Sequence, residues 1–468
     1  MTSDTGQTPE THASKPGDAR PIQSGLSADL QGQIIAPGDK SISHRSLIFG
    51  AMAHGTTTIH GLLEGADIIS TLGAMQAFGA VIHKNPDGNW QVEGVGAKGF
   101  TTPDTVVDCG NAGTGVRLIM GAAAGYNLRA TFTGDASLSS RPMARVLDPL
   151  SDMGVTYSAT NGDRLPVEIT SGGALTSIDY TPPHASAQVK SCLLLAGVNT
   201  DGLTIIRESK LTRDHTENML EAFGVKVDRH TVGDGQVVKL RGPAALHGTH
   251  ITVPGDPSSA AFPIVAALIT PGSDIVIKNV MMNATRTGLF ETLIEMGGFL
   301  RADNFKKSGG EMIADIHVKH SALNGITVPT SRAPSMIDEY PILAVAAAFA
   351  KGTTVMNGIG ELRVKESDRI AATAALLRRN GVNVTERDDG MSVSFSASQS
   401  GTISGGGHVI THHDHRIAMS ALVLGLRAET PISIDDGAMI ATSFPTFFEM
   451  MSGLGANIGT NIDTPSAK

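Results

Sequence analysis

Cysteine and aromatic residues are scarce in this chain of 468 residues. Its two cysteines, Cys109 and Cys192, are too few for a disulfide scaffold and lack the spacing of a metal-binding pair. We therefore predict a reducing, cytoplasmic environment in which both are small buried thiols. Aromatic residues make up 4% of the chain against 54 glycines. This composition predicts many short elements joined by tight turns.

Long apolar runs and an excess of basic residues are also absent. No apolar run approaches the roughly 18 residues that a membrane helix needs. The net charge of −9 argues against a nucleic-acid surface, so any anion site must concentrate Lys and Arg locally. Residues 1–24, rich in Thr, Ser and Pro, do not have the pattern of a secretory signal. We predict that they and residues 460–468 are disordered tails.

The length and one recurring pattern predict the architecture. A single hydrophobic core stops growing well below this length, so two or more domains are expected. Leu or Met, three residues and then Gly recur at a period of about 75 residues, followed in most cases by a small or β-branched residue. Such a Gly closes a helix in the left-handed conformation, and the residues after it are typical of a strand. Chance recurrence would not give such even spacing, so we predict an α/β fold of six repeated units, three in each domain. The six glycines are Gly79, Gly154, Gly224, Gly297, Gly381 and Gly455.

Clusters of cationic, hydroxyl and small residues mark the places where chemistry is expected. In residues 37–46 Lys40 follows Asp39, which does not fit the Gly-Lys pair of a phosphate-binding P-loop. What remains is a turn that opens a helix, whose free N–H groups favour anions, near Lys40, Ser41 and Arg45. Further clusters occupy residues 111–117, 134–142, 186–191, 212–217, 338–341, 363–369 and 412–416.

Each cluster also has an ordinary structural explanation. Residues 363–369 fit a solvated, salt-bridged helix face. Asp338 and Glu339 fit a helix N-cap followed by a favourable first-turn acid. The histidines within 412–415 have neither the zincin spacing nor a Cys partner, so no metal site is predicted there.

Taken together, these motifs resemble the 5-enolpyruvylshikimate-3-phosphate (EPSP) synthase family from about Leu26 to Ile458. The matching strings include Gly-Asp-Lys-Ser-Ile-Ser-His-Arg at 38–45, Gly-Asn-Ala-Gly-Thr at 110–114, Asp-Glu-Tyr-Pro at 338–341 and Asp-His-Arg at 414–416. The resemblance implies the two-domain enolpyruvyl transferase fold, an inside-out α/β barrel with three βαβαββ-type units in each domain. It also implies a discontinuous first domain of residues 25–36 and 254–459, and a second domain of residues 37–253.

The resemblance implies transfer of the enolpyruvyl group of phosphoenolpyruvate to the 5-hydroxyl of shikimate 3-phosphate, a step of the shikimate pathway to chorismate and the aromatic amino acids. It implies no cofactor, no metal, no nucleic-acid or membrane partner, and a monomer. Asp338 is implied as the base, Glu366 as the proton donor and acceptor at C3, and Lys40 as the acid for the leaving phosphate. A carboxyl group that protonates carbon needs a raised pKa, and we expect burial to raise that of Glu366. The residues implied to hold phosphoenolpyruvate are Lys40, Gly113, Arg141, Gln188, Arg369 and Arg416. Those implied to hold shikimate 3-phosphate are Lys40, Ser41, Arg45, Ser186, Ala187, Gln188, Arg213, Asp338 and Lys365.

The chain departs from the family pattern at a few positions. Many members carry a Lys before the Thr-Phe-Pro segment near the C-terminus, where residues 440–445 have none. Several strings look like the bacterial class that includes glyphosate-tolerant members. Gly113 is typical of glyphosate-sensitive enzymes, whereas Leu118 departs from the Pro that those enzymes carry. The two signals conflict, and Gly113, directly at the ligand, leads us to predict sensitivity.

Two other functions fit parts of the sequence. UDP-N-acetylglucosamine enolpyruvyl transferase shares the fold and phosphoenolpyruvate, but its loop usually presents a Cys shortly before the Arg-Pro pair, and residues 134–140 have none. A non-catalytic anion-binding protein on the same scaffold has no need of both Asp338 and Glu366. Phosphate release on mixing the two substrates separates these alternatives.

Overall fold

The structure, a computed structural model, describes residues 21–160 and 162–460. Residues 1–20 and 461–468, which hold most of the two predicted tails, lie outside the described part of the chain. The predicted end of the N-terminal tail at Ser24 is wrong. Ile22–Ser24 form a strand, β1, with an antiparallel partner on each side, and the side chains of Ile22 and Ser24 are buried. Pairing on both sides and burial hold this segment in place despite its polar surroundings in the sequence.

The strands of the described chain are mostly short. Their bounds are β1 (Ile22–Ser24), β2 (Gln31–Ile35), β3 (Thr56–His60), β4 (Val81–Lys84), β5 (Trp90–Glu93), β6 (Val107–Asp108), β7 (Asn127–Thr133), β8 (Thr156–Thr160), β9 (Arg164–Gly172), β10 (Asp179–Tyr180), β11 (Gly202–Glu208), β12 (Val227–Val232), β13 (Gly235–Gly242), β14 (His250–Thr252), β15 (Asp274–Met281), β16 (Phe299–Ser308), β17 (Glu311–Lys319), β18 (Thr327–Val328), β19 (Thr353–Asn357), β20 (Val384–Arg387), β21 (Gly390–Ser394), β22 (Ile403–Gly405), β23 (His408–Val409), β24 (Ala428–Thr430), β25 (Ile432–Ile434) and β26 (Ile458–Gly459).

Many helices begin at an Asp or Ser cap whose side chain accepts a backbone N–H of the first turn, as Asp39 accepts from Ile42 at 2.8 Å. The α-helices are α1 (Lys40–Met52), α2 (Ala66–Ala77), α3 (Gly113–Ala124), α4 (Ala136–Ser139), α5 (Ala144–Asp152), α6 (Ala187–Val198), α7 (His215–Ala222), α8 (Pro257–Ile269), α9 (Gly288–Glu295), α10 (Tyr340–Ala348), α11 (Arg369–Arg379), α12 (His415–Gly425) and α13 (Phe447–Gly453). Short 3-10 helices span Gly96–Lys98, Thr330–Ser335, Ile337–Glu339, Gly360–Val364 and Ala438–Thr442.

Four-stranded sheets of one pattern repeat along the chain. The first strand is parallel to the second, and the third is antiparallel to both the second and the fourth. In the last sheet the N-terminal β1 takes the third place, and in the first sheet β14, on the chain's return, takes the first. The orders, written in that direction, are β14-β3-β5-β4, β6-β7-β9-β8, β10-β11-β13-β12, β2-β15-β17-β16, β18-β19-β21-β20 and β23-β25-β1-β26.

The predicted glycine pattern is confirmed, because each recurring Gly stands between a helix and the fourth strand of one sheet. All of these glycines have a positive φ, from 80° at Gly381 to 111° at Gly154. The residue after each Gly donates to the carbonyl of the Leu or Met before it, as Val225 does to Leu220 at 2.8 Å. This bond and the left-handed Gly are the Schellman closure of a helix.

Buried apolar side chains form two separate cores. One core draws on residues 22–36 and 260–458, and the other on residues 42–253 together with Met281. We refer to residues 21–36 and 254–460 as the first lobe, and to residues 37–253 as the second lobe. The two cores support the predicted domain boundaries, which stay a prediction.

Three helices form the centre of each lobe. Helices α1, α3 and α6 pack together in the second lobe, and α8, α10 and α12 do so in the first. Their residues are buried almost all round, which is typical of helices enclosed by the rest of a fold. None of the helices in the described residues has both the length and the hydropathy of a membrane-spanning segment.

Candidate active site

The central helices of both lobes begin near one another, and we call the region between the lobes at these helix starts the crevice. Arg286 bonds to Asp39, the cap of α1, at 2.8 Å and to Asp256, the cap of α8, at 3.0 Å. Gln188 in the first turn of α6 donates to Thr114 in the first turn of α3 at 3.0 Å. Free backbone N–H groups and the helix dipole favour anions at each N-terminus. The convergence therefore makes this crevice suited to anionic ligands.

The starts of α1 and α6 carry several of the predicted residues. Lys40 opens α1 and forms an ion pair with the buried side chain of Asp67. Ser186 caps α6 by accepting the N–H of Val189 at 3.4 Å. The predicted residues that the structure places at these two helix starts are Lys40, Ser41, Ser186, Ala187 and Gln188.

Arg45 lies beneath this surface and is only 3% exposed. Its guanidinium donates to Thr216 Oγ1 at 2.8 Å, to Ser191 Oγ at 2.9 Å and to the carbonyl of Ser41 at 2.9 Å. Burial lowers the pKa of Arg45 to about 10. The structure therefore shows Arg45 as a support for the start of α1, and its predicted contact with the substrate stays a prediction.

Arg141 lies against the start of α3. It donates to Asn111 Oδ1 at 2.8 Å and to Ser137 Oγ at 3.0 Å. A Cβ atom at Gly113 would lie 2.8 Å from Nη1 of Arg141, closer than real contacts allow. Glycine at this position is therefore what lets the guanidinium rest on the helix start.

Arg117 ends the predicted cluster of residues 111–117, but no role was predicted for it. It is buried, and it donates to the carbonyl of Gly113 at 3.0 Å, to Gln188 Oε1 at 3.1 Å and to the carbonyl of Pro142 at 3.1 Å. Burial, followed by the charges of neighbouring arginines, lowers its pKa to about 10. Arg117 thus supports two predicted ligand positions from below. Its place in the apolar stretch after Gly115 was the available signal, since a lone Arg there must be buried with partners.

Arg369 lies at the centre of the first lobe's side of the crevice and is 1% exposed. It bonds to Asp414 Oδ2 at 2.8 Å, to Glu366 Oε2 at 2.6 Å and to Asp338 Oδ1 at 3.1 Å. Ser367 also donates to Asp414, at 2.9 Å. One buried guanidinium therefore holds both predicted catalytic acids in place.

Asp338 is surrounded by positive charge. Burial, the largest single influence, raises its pKa, but Lys365, Arg416, Arg213 and Arg369 together hold that pKa well below its ordinary value. Arg416 also donates to the backbone carbonyl of Asp338 at 3.1 Å. In this structure Asp338 is therefore an anion whose charge is balanced by the predicted ligand-binding cations.

The pKa expected for Glu366 is wrong for this structure. A carboxyl group that protonates carbon was expected to have a pKa raised by burial. Its side chain is 31% exposed to the crevice and pairs with Arg369. Loss of water contact does favour the protonated form, but the positive charge of Arg369, followed by His415 and Lys40, outweighs it and lowers the pKa below its ordinary value.

The lobes contact each other directly at two further places. Arg213 of the second lobe bonds to Asp338 of the first at 2.7 Å. A Cβ atom at Gly65 of the second lobe would lie 2.5 Å from the carbonyl oxygen of Thr442 of the first, in the segment that lacks the family's Lys. The two lobes therefore touch directly, through an ion pair and through a close approach of backbone.

One group of side chains has the residue types of a metal site. Donor atoms of Asp214, His215 and Glu311 lie within 4.8 Å of one another. However, His215 Nδ1 bonds to Glu311 at 2.8 Å, and Asn283 donates to Asp214 at 2.7 Å and to Glu311 at 2.8 Å. These atoms bond to one another and tie the lobes together, so the group carries no metal assignment.

Comparison with known proteins identifies the family. A sequence model of EPSP synthase (3-phosphoshikimate 1-carboxyvinyltransferase) matches residues 26–451. The chain belongs to the EPSP synthase family. It is 57% identical over 429 residues to the 3-phosphoshikimate 1-carboxyvinyltransferase of Phenylobacterium zucineum, covering 92% of this chain and 94% of that protein. It is 55% identical over 453 residues to that of Parvibaculum lavamentivorans, covering 96% and 98%.

Solved structures confirm the predicted enolpyruvyl transferase fold. The EPSP synthase of Acinetobacter baumannii superposes with a TM-score of 0.85 at 44% identity, covering 94% of this chain and 99% of that one. The enolpyruvyl transferase NikO of Streptomyces tendae shares the fold at 19% identity, with a TM-score of 0.72. The resemblance drawn from the motifs is thus confirmed for both family and fold.

The predicted site residues of this EPSP synthase family member are gathered from both lobes, although their individual roles stay predictions. Lys40, Gly113, Arg141 and Gln188 line the second lobe's side, and the acids with their arginines line the first lobe's side. The sequence reasoning missed Asp67 and Arg286 entirely. Neither residue belongs to one of the recognised motifs, and nothing in the local sequence distinguishes it from an ordinary surface Asp or Arg.

Proposed function

We propose that this chain transfers the enolpyruvyl group of phosphoenolpyruvate to the 5-hydroxyl of shikimate 3-phosphate and releases phosphate. Membership of the EPSP synthase family supports this reaction. The observation that carries it is the meeting of cations from both lobes around Asp338 and Glu366. Arg369 contacts both acids, and Arg213 reaches Asp338 from the opposite lobe.

The charges of the substrates explain the need for so many cations. Each substrate carries a carboxylate and a phosphate into one crevice. Two unit charges 4 Å apart repel by about 4 kcal/mol at an effective dielectric near 20. Lysine and arginine side chains and helix N-termini offset this repulsion.

In this proposal phosphoenolpyruvate lies between the lobes. The second lobe contributes the starts of α1, α3 and α6, and the first lobe contributes the arginines around the acids. Gly113 leaves room beside Arg141 for the ligand. The residues proposed to hold phosphoenolpyruvate are Lys40, Gly113, Arg141, Gln188, Arg369 and Arg416.

Shikimate 3-phosphate is held mainly by the second lobe. The first turns of α1 and α6 offer hydroxyl and backbone groups, and Arg213 offers a charge at the boundary with the first lobe. The residues proposed to hold shikimate 3-phosphate are Lys40, Ser41, Arg45, Ser186, Ala187, Gln188, Arg213, Asp338 and Lys365.

The reaction proceeds by addition and elimination. Asp338 takes the proton of the 5-hydroxyl as its oxygen bonds to C2 of phosphoenolpyruvate, and Glu366 gives a proton to C3. In the resulting tetrahedral ketal, Glu366 takes a proton back from C3, the C2–phosphate oxygen bond breaks, and Lys40 protonates the leaving phosphate. Asp338 then passes its proton to water and Lys40 takes one from water, which restores both residues, so that on balance the hydroxyl proton ends on the phosphate. No metal or organic cofactor takes part in this scheme.

The lowered pKa values of the two acids fit this scheme once the substrates are considered. The same cations that lower the pKa of Asp338 and Glu366 are the proposed ligands of the substrate anions. Bound anions weaken the positive field at each carboxylate and so raise its pKa toward the value that proton transfer needs. Substrate binding therefore prepares the acids for catalysis.

The assay is phosphate release from the purified protein. We expect release only when phosphoenolpyruvate and shikimate 3-phosphate are both present, with an enol ether product of matching mass. UDP-N-acetylglucosamine in place of shikimate 3-phosphate serves as the control acceptor. Release with that acceptor, or binding of both substrates without release, would refute the proposal in favour of one of the two alternatives.

We also propose that the enzyme acts as a cytoplasmic monomer with small-molecule substrates and no nucleic-acid or membrane partner. The net charge of −9 and the two cysteines support this setting. Sedimentation in buffer with and without both substrates tests the oligomeric state. A dimer mass in either condition would contradict it.

A further inference from the structure

The two chain crossings between the lobes lie side by side. The N–H of Asp39 donates to the carbonyl of Pro254 at 2.7 Å, and the N–H of Asp256 donates to that of Pro37 at 2.8 Å. The chain thus leaves the first lobe and returns to it through one short paired segment. A side chain that bonds to both of these crossing segments, residues 37–39 and 254–256, therefore also fixes how the lobes meet.

Arg286 is such a group. It is 4% exposed, and its Nη1 donates to Asp39 Oδ2 at 2.8 Å. Its Nη2 donates to Asp256 Oδ1 at 3.0 Å and to Ser258 Oγ at 2.9 Å. Both aspartates are N-caps, of α1 and α8 respectively. One rigid guanidinium therefore sets the separation of two helix starts that belong to different lobes.

The buried ion cluster around Arg286 is better suited to positioning the two helix caps than to stabilising the fold. Removing a guanidinium and two carboxylates from water costs several kcal/mol per ion, which their attraction roughly offsets. An apolar contact of similar volume would serve stability as well. What the ion cluster adds is a defined distance and angle, because the planar fork bonds the two caps through different nitrogens.

Short links run from Arg286 to cations on both sides of the crevice. Lys40 follows Asp39 directly in the chain. On the other side, the hydroxyl of Ser258 also bonds to the carboxylate of Glu339, which accepts from Arg416 Nη1 at 3.4 Å. Arg286 thus bonds to the residue next to Lys40, and is linked to Arg416 through Ser258 and Glu339.

We propose that Arg286 is a positioning residue that fixes the separation of Lys40 and Arg416 across the crevice. The inference rests on the proposed function, in which these two cations hold phosphoenolpyruvate from opposite lobes. Shikimate 3-phosphate is held mainly by the second lobe and depends less on that separation. Loss of Arg286 therefore affects phosphoenolpyruvate more than shikimate 3-phosphate.

The test compares Arg286→Met and Arg286→Lys with the wild type. We expect kcat/KM for phosphoenolpyruvate to fall by about 10- to 100-fold in Arg286→Met, the scale of a misplaced contact. Lysine at this position reaches only one cap at a time, so kcat/KM of Arg286→Lys should lie between those of the wild type and Arg286→Met. The Kd of shikimate 3-phosphate, measured by calorimetry without the second substrate, should change by no more than about threefold, well under a single charged hydrogen bond.

Arg427→Met is the matched control, because Arg427 is also a buried first-lobe arginine, 7% exposed, but it bonds to the carbonyls of Ser400 and Gly401 beyond the far end of α12. We expect it to lower the melting temperature without changing either substrate constant. An Arg286→Met protein that resembles this control, with a lower melting temperature and unchanged KM values, overturns the proposal.

A second variant decides the matter if Arg286→Met does not fold. Ser258→Ala leaves Arg286 and both caps in place but breaks the link to Glu339. Like Arg286→Met, Ser258→Ala should weaken the use of phosphoenolpyruvate, seen as a higher KM. An unchanged KM counts against the proposal. A wild-type protein that does not turn over the two substrates overturns the proposed function and this inference together, whereas an active wild type with unaffected variants overturns this inference alone.

Discussion

Arg213 donates to Asp338 Oδ2 at 2.7 Å and so joins the two lobes across the crevice. The pair is partly buried, with side-chain exposures of 24% and 16%. Asp338 also meets Arg369 at 3.1 Å and Lys365 at 3.8 Å. The proposed base is therefore held by cations from both lobes, and each of its partners is also a proposed ligand of a substrate anion.

Arg213→Met should raise the KM for shikimate 3-phosphate by about 10- to 100-fold, the scale of one charge-assisted hydrogen bond. The change in kcat should be smaller, because Arg369 and Lys365 still hold Asp338. Steady-state kinetics with varied shikimate 3-phosphate measures both constants. The control is Arg207→Met, which breaks an exposed pair with Asp179 on the same lobe. An unchanged KM in the Arg213 variant would remove this residue from the binding site.

Glu366→Gln should reduce kcat by about 100- to 10,000-fold, the range for loss of a positioned acid or base. The amide keeps the shape of the side chain but does not exchange a proton with C3. The Kd of shikimate 3-phosphate should stay close to the wild-type value. Glu168→Gln is the control and should keep full activity, because Glu168 has the same 31% side-chain exposure but pairs with Arg129 in the second lobe. Retained turnover in Glu366→Gln would refute the role of this acid.

Gly113 predicts how the protein responds to glyphosate. We expect the wild type to be inhibited with a sub-millimolar constant, since glycine leaves room beside Arg141. In Gly113→Ala the new Cβ would lie 2.8 Å from Arg141 Nη1, so the guanidinium must shift. We expect weaker inhibition and a higher KM for phosphoenolpyruvate.

Inhibition assays at several phosphoenolpyruvate concentrations measure both effects of the Gly113 substitution. Gly73→Ala is the matched control, because a Cβ at that helical position would have no neighbour within 4 Å. Wild-type activity that persists in millimolar glyphosate contradicts the prediction of sensitivity, and equal inhibition of the two alanine variants contradicts the steric argument.

Lys190→Met should lower the free energy of unfolding by about 3–5 kcal/mol, the cost of leaving buried charges without their partner. Lys190 is fully buried, with its Nζ 2.8 Å from Glu208 Oε2 and 2.7 Å from Glu217 Oε1. Urea denaturation measures the change. Lys226→Met, which removes an 87% exposed lysine, should change the same quantity by less than about 0.5 kcal/mol. Similar effects of the two substitutions would show that the buried triad contributes little.

Acid should destabilise the protein below about pH 4. The pKa values of Asp39, Asp338 and Asp414 are lowered in the folded state from an unfolded value near 3.8, because the arginines beside them outweigh the effect of burial. Their contribution to stability is therefore fully present above that value and is lost as the pH falls through the folded pKa values. For each proton taken up on unfolding, the free energy of unfolding falls by about 1.4 kcal/mol for every pH unit of acidification.

Urea denaturation between pH 7 and pH 3 tests this dependence on acid. The loss should persist in high salt, since buried ion pairs are screened far less than exposed ones. A free energy of unfolding that stays constant down to pH 3 would contradict the lowered pKa values.

The sequence alone was enough for the family, the fold class and the repeated unit. These depend on local signals: a left-handed Gly closes one helix in each repeated unit, and short motifs mark the helix starts at the site. It also predicts which cations and acids belong to the site, because family motifs preserve their order along the chain; those assignments stay predictions. Such signals can be recognised in the sequence because each involves residues that are only a few positions apart.

Only the tertiary structure decided how these groups act on one another. Burial was expected to raise the pKa of Glu366, but Arg369 lies 2.6 Å away and lowers it. Ile22 lies in a strand because its partner, Ile434, comes from the other end of the chain. Arg286 gives no local sign of its role, since Asp39 lies 247 residues from it. Charge and hydrogen bonding depend on distance in space, and for residues so far apart in sequence that distance is set by the fold.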